Sequence, residues 1–181
     1  MPSKHSTDKW IRNKSDEAAV DQGCYFDPQY PDRVKRFIET YCIQSVGSFQ
    51  GKPIELLPWQ VSELIDPLHG WRSKSGGMRF LACSCWLPKS GGKSTIGAAL
   101  SLYHLLADGQ KYANVVTMAT DVEQAGIAYK FAVDMIDQHP KLKNNSQIWV
   151  RVYPNNLVMT TMSIARRHLR LDDWRYAEAL P

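Results

Sequence analysis

Five consecutive residues, Gly91-Gly92-Lys93-Ser94-Thr95, bring together the groups that a nucleoside triphosphate asks of a protein. Glycines let the backbone wrap closely and aim its N–H groups at phosphate oxygens. The lysine ammonium can reach the β- and γ-phosphates, and the serine hydroxyl after it can sit on a bridging Mg²⁺. A helix starting at Lys93 adds the positive end of its dipole. Upstream, Met78 to Trp86 reads as an apolar strand, so the order strand, loop, helix is the one a phosphate loop needs. The general pattern is G-x-x-x-x-G-K-[ST], and its first glycine position falls on Leu87 here. A purely structural Gly-rich turn is the competing reading.

The elements that must hold this loop follow from periodicity and punctuation. Residues 1–30 mix charge with Ser, Asp, Gln, Pro and aromatics without helical or strand period, and read as an arm. Pro31-Asp32 opens a helix whose Val34, Phe37, Ile38, Tyr41 and Cys42 form one apolar stripe, with Gly47 at its end. Pro58 suits the first position of a second helix, with Val61, Leu64, Ile65 and Leu68 as its buried face and Gly70 as its stop. After the loop, Ile96, Ala99, Leu100, Tyr103, Leu106 and Ala107 keep helical spacing up to Asp108-Gly109. Ala113 to Ala119 reads as a buried strand. Asp121 and Gln124 then form a capping box for a helix running to Gln138 and closed by Pro140. Ile148–Tyr153 and Leu157–Thr161 read as two strands joined by a turn at Pro154-Asn155-Asn156.

Strand, phosphate loop, helix, strand, helix is a βαβ unit with its ligand at the carboxyl end of the first strand. The expectation is an α/β fold with a mainly parallel sheet.

Composition narrows the classes. With 181 residues, 44% apolar and 22% charged, the chain is of single-domain size and can bury a core. No secretory signal follows Met1, and no run approaches the ~18 apolar residues of a membrane span, so an intracellular protein is expected. The four cysteines, Cys24, Cys42, Cys83 and Cys85, make no metal pattern. Cys83 and Cys85, two apart on a strand, would share one face and be buried. The five histidines lie far apart, which gives zinc no support. The net charge of +4 resides entirely in the last 41 residues, which carry seven basic and three acidic side chains. A basic tail can touch nucleic acid, but it is also what a solvated terminal helix looks like.

Several segments taken in order resemble the large terminase subunits of tailed bacteriophages, the ATP-driven motors that package viral DNA. They are Tyr25-Phe26-Asp27-Pro28, Phe37-Ile38-Glu39, Gly51 through Gln60, His69-Gly70-Trp71, Leu87 through Thr95, Leu102 through Gly109, and Ala119 through Ala125. Phosphate loops of that family commonly begin Pro-basic-basic, so the resemblance accounts for Leu87 and Pro88. It implies ATP and Mg²⁺ as cofactors, held by Pro88, Lys89, Ser90, Gly91, Gly92, Lys93, Ser94 and Thr95, with Lys93 catalytic and Ser94 on the metal. It implies that Gln60, in Pro58-Trp59-Gln60, reads the adenine edge, since an amide can donate and accept at once. Otherwise Gln60 is a polar residue on an amphipathic helix. Lys89 either helps with transition-state charge or only decorates the loop. The expected partners are double-stranded DNA, the small terminase subunit and the portal. Also implied are a homo-oligomer when full length, no membrane, and the host cytoplasm during assembly.

ATP hydrolysis needs more: an apolar strand ending Asp-Glu, the Asp for Mg²⁺ and the Glu to orient water. Asp172-Asp173 is the nearest candidate, but Arg166-Arg167-His168 before it is too polar for a central strand. The family's C-terminal nuclease domain has no counterpart here, and the resemblance fades near Thr161. The resemblance therefore implies a P-loop NTPase-type three-layer domain incomplete at its C-terminus, with an arm over 1–30, a partial ATPase domain over 31–161 and a tail over 162–181. The expectation is an N-terminal fragment, its last ~20 residues out of register through a frameshift or a boundary cut, that binds ATP but hydrolyses it slowly or not at all. A small P-loop kinase and a degenerate, non-enzymatic remnant are the alternatives.

Overall fold

The computed structural model describes residues 7–110, 113–119, 122–153 and 158–166, in two units. One takes the chain up to Arg36 and then Glu55–Pro88; the other takes Phe37–Ile54 and the residues from Lys89 on.

The first unit is built around Phe26. Its ring is fully buried, stacks on Trp10 at 3.9 Å and meets Trp71 edge-on at 5.9 Å. Two short strands, β1 (Tyr25–Phe26) and β2 (Trp71–Arg72), pair antiparallel and bring these rings together. Helix α1 (Lys14–Asp21) lies within the segment expected to be an irregular arm. It escapes a periodicity reading because only Asp16 and Ala19 are buried on it. What starts it is the Asn13 cap, whose side chain accepts the Asp16 N–H at 3.1 Å. Asp16 in turn receives the Arg79 guanidinium at 2.6 Å, both side chains being almost wholly buried. That guanidinium also lies over the Trp71 and Phe80 rings, at 4.7 and 4.6 Å.

The second predicted helix forms, with a wider first part. Residues Gln60–Ile65 are π-helical and continue directly into α3 (Asp66–Gly70). Leu64 and Ile65 are buried as expected. Asp66 is buried as well, 3.4 Å from the Lys35 ammonium. Burial raises the Asp66 carboxyl above its ordinary range, against the pull of Lys35.

Helix α2 (Gln29–Tyr41) carries the predicted stripe, and Val34, Phe37, Ile38 and Cys42 are all buried. It ends at Tyr41, short of Gly47. The chain then doubles back: Ile43 bridges Pro53, and the Gln44 N–H donates to Lys52 O at 2.8 Å. In the second unit, α4 (Lys93–Leu106) buries Ile96, Ala99, Leu102 and Leu106, and Tyr103 meets Phe37 at 5.7 Å. Helix α5 (Val122–Gln138) buries Ala125, Ala132, Met135 and Ile136. Helix α6 (Pro140–Asn145) follows at once and buries Leu142.

The sheet of this unit joins β3 (Val115–Ala119), β4 (Ser146–Tyr153) and β5 (Val158–Arg166) in the order β3-β5-β4. The expected hairpin is there, Ser146 facing Arg166 and Tyr153 facing Met159, while its turn at 154–156 lies outside the described residues. Both pairings are antiparallel, so the expected parallel sheet is not formed by the described residues. The four residues between β4 and β5 turn the chain back, as the expected hairpin requires, and β3 adds antiparallel to β5, while the strand that a parallel crossover would have joined to β3 is not formed. β3 is not buried either: its residues alternate half-buried and exposed, Val116 and Met118 facing water.

The strand expected over Met78–Trp86 is absent. Met78 makes one bridge to Arg72, and Phe80–Trp86 belong to no helix or strand. The run Met-Arg-Phe-Leu-Ala-Cys-Ser-Cys-Trp has no Val, Ile or Thr, the β-branched residues that stiffen a strand. Cys83 and Cys85 are consequently exposed rather than buried. Only Cys42 fits the buried expectation, its thiol pushed up to about 12 by burial. No helix among the described residues is long and apolar enough to cross a membrane.

Candidate functional site

Two residues shape the phosphate-loop segment. Ser90 has a φ of 66° and Gly92 a φ of 77°, both in the left-handed region. Glycine enters that region freely, but a residue with a Cβ is crowded there. Two such residues flanking Gly91 curl the chain within four positions and open directly into α4, whose first residue is Lys93. The first helical bond runs from the Ile96 N–H to Gly92 O at 3.0 Å. No side chain caps this end. A helix start leaves its first N–H groups without partners in the helix, so α4 carries donors and positive dipole where an anion would sit.

The side chains of the loop are exposed or half-buried. Lys93 is exposed at the first helical position, Lys89 and Ser90 are exposed on the loop, and Pro88 is exposed just before it. Gly91, Gly92, Ser94 and Thr95 are half-buried. The structure thus brings Lys89 to Thr95 together on one turn. Among the described residues no three His, Cys, Asp or Glu side chains gather into a metal cage. The donor set suits a divalent ion arriving on phosphate oxygens, with a hydroxyl such as that of Ser94 as its protein ligand, and not a protein-only metal site.

Gln60 belongs to the first unit and is buried. Its side-chain oxygen accepts the Leu57 N–H at 2.9 Å. That is half of a capping box: the third residue of the helix reaches back to satisfy the backbone donor at its start. The sequence hid this role because Leu57 stands where the pattern wants Ser or Thr. The amide NH₂ of Gln60 is the part that such a cap does not use. Thr120 and Asp121 lie outside the described residues, as does Asp172-Asp173; Gln124 is exposed at the start of α5.

A family model described as the terminase large subunit, ATPase domain, matches residues 58–176. The terminase large subunit of Enterobacteria phage HK97 is 31% identical to this chain over 113 residues, which is 62% of the chain and 21% of the relative. The crystal structure of the HK97 bacteriophage large terminase superposes with a TM-score of 0.46 at 24% identity, covering 69% of this chain and 23% of that one. The chain therefore spans about a fifth of the length of the relatives it matches.

Proposed function

The chain belongs to the family of terminase large-subunit ATPase domains, and from that premise we propose that it binds ATP with Mg²⁺ on the turn from Pro88 to Thr95. The observation that carries the reading is the pair of left-handed residues, Ser90 and Gly92, opening straight into α4 inside the matched span. In it, the backbone of Ser90, Gly91 and Gly92 cradles phosphate, and the Lys93 ammonium bridges the β- and γ-phosphates. Ser94 offers its hydroxyl to Mg²⁺, with Thr95 beside it. Lys89 adds a second positive charge. Bound Mg²⁺ would supply charge neutralisation on the phosphates.

Gln60 reads the adenine through its NH₂ while its oxygen holds the helix start. The resemblance of Pro58-Trp59-Gln60 to the family motif supports this assignment. Lys93 is the residue that would stabilise charge on the transferring phosphoryl group. The chain alone hydrolyses ATP slowly or not at all, because its sequence offers no apolar strand ending Asp-Glu. In the longer relatives' setting, the activity is ATP hydrolysis driving double-stranded DNA into a capsid, by a homo-oligomer working with the small terminase subunit and portal. The family match leaves the small P-loop kinase without support.

Thermal melting with and without ATP·Mg²⁺ is the test. A ligand at 100 times its Kd stabilises a protein by about 2.7 kcal/mol, so the melting temperature should rise clearly. Lys93→Ala removes charge-assisted hydrogen bonds of about 1.5–3 kcal/mol each and should abolish the shift. Equal shifts in both proteins would sink the assignment of the loop; no shift in either would make the chain a remnant that binds no nucleotide.

A further inference from the structure

Cys83 and Cys85 have no part in the site just described, yet they lie on the chain that leads into it. Both are exposed, with Ser84 between them, in the run Phe80–Trp86, where Leu81 and Trp86 are 92% and 94% exposed. The other two cysteines differ: Cys42 is buried and Cys24 half-buried. Two thiols one residue apart in open chain meet the same dissolved oxidant, and the second is always at hand for the first.

Spacing decides when they can join. In an extended strand, residues i and i+2 are roughly 6.6 Å apart with both Cβ atoms on one face. A disulfide needs its Cβ atoms at about 3.5–4.5 Å. The bond therefore requires the backbone to bend at Ser84, which a paired strand forbids and the unpaired segment seen here permits. Conversely, once formed, the bond would keep residues 83–85 out of any sheet.

We propose that Cys83 and Cys85 are a dithiol switch whose oxidant is a low-molecular-weight disulfide, and whose state sets whether the chain entering the phosphate loop is extended or bent. This rests on the nucleotide-binding reading and adds a regulation to it. One cysteine thiolate attacks the oxidant, forming a mixed disulfide and releasing one thiolate. The other cysteine thiolate then attacks the protein sulfur of that mixed disulfide, closing the Cys83–Cys85 bond and releasing the second. The protein loses two electrons and two protons, and the oxidant becomes two thiols. Exposed, tightly closed disulfides are the readily reduced kind, so reducing conditions reopen the switch. Leu87 follows Cys85 by two residues, so the bend is passed to the loop through the backbone itself.

The test treats the full 181-residue chain with glutathione disulfide and maps the products by peptide mass. ATP·Mg²⁺ affinity is measured by calorimetry before treatment, after it, and after dithiothreitol. The expected product is a Cys83–Cys85 peptide lighter by two hydrogens, with ATP binding weakened about tenfold and restored on reduction. The double variant Cys83→Ser, Cys85→Ser should keep its affinity in the oxidant. Persistent glutathione adducts, a bond to Cys24, or a Cys83–Cys85 bond that leaves affinity unchanged would each overturn the switch. If the reduced chain binds no ATP, it is the nucleotide reading that fails, and the peptide map reports the thiol chemistry separately.

Discussion

Ser90 is the residue at which the loop's geometry and its chemistry meet. It holds a φ of 66° with a side chain attached, a conformation costing about 1–2 kcal/mol for most residues. Replacing it with glycine removes that crowding but loosens the unfolded chain, which costs back roughly 0.5–1 kcal/mol. Ser90→Gly should therefore be slightly more stable, by about 0.5 kcal/mol, in urea unfolding. A loss of stability instead would mean that the serine side chain itself holds the turn. At Gln60 the two roles can be separated. Glutamate keeps the oxygen that accepts the Leu57 N–H but lacks the NH₂ donor. Gln60→Glu should melt closer to the parent than Gln60→Ala does, yet bind ATP more weakly, by the 2- to 10-fold, roughly, that one hydrogen bond is worth. Gln60→Ala should lose both stability and affinity. A glutamate variant with full ATP affinity would leave Gln60 only its capping role. That Gly91, Gly92, Lys93 and Ser94 lead from a loop into a helix was legible from the sequence, because residue type and spacing mark that junction. The left-handed Ser90 was not, since nothing about a serine marks the φ its neighbours impose.

At the scale of elements, legibility followed the strength of the local signal. Helices α2, α4 and α5 show apolar stripes that tertiary packing then buries, so their existence was readable and only their ends moved. α1 depends on a cap instead of a stripe, and was missed. The segment Met78–Trp86 is apolar without being β-branched; its strand would need pairing partners that the described residues do not supply. The β4–β5 hairpin was readable from its short link, but the sense of the sheet was misread because helical spacing after Met78–Trp86 suggested a crossover to β3, whereas that first strand does not form and β3 pairs antiparallel with β5. The meeting of α3 with β1 shows how tightly the first unit fits. A Cβ added at Gly70 would lie 2.3 Å from the Phe26 ring, and that ring is itself held between Trp10 and Trp71. Overpacking of this kind costs about 1–3 kcal/mol. Gly70→Ala should lower the urea midpoint accordingly, and Phe26→Leu in the same chain should recover part of the loss by making room. An unchanged midpoint for Gly70→Ala would show that the aromatic stack gives way freely.

For the molecule as a whole, pH is the variable that reads several of these environments at once. His139 sits at the junction of α5 and α6, its ring meeting that of Tyr41 edge-on with the centroids 5.2 Å apart. Its Nδ1 is buried without a hydrogen-bond partner among the described residues. Burial, aided by the charge of Lys141, lowers its pKa below the ordinary 6.5. The unfolded chain therefore takes up this proton more readily than the folded one. Where the unfolded state binds more protons, stability rises with pH. His139 thus contributes stability that is fully present above its unfolded value and is lost as pH falls below it toward the folded one. Asp66 acts with the opposite sign. Its carboxyl is raised from 3.8, chiefly by burial, so the folded state takes up that proton first and stability recovers as pH falls through its folded value. One substitution isolates the His139 contribution. His139→Phe keeps a ring against Tyr41 but cannot titrate. As pH falls below about 6.5 the parent chain should lose urea stability, and the variant should lose less. Parallel pH profiles for the two proteins would place the acid sensitivity on other groups.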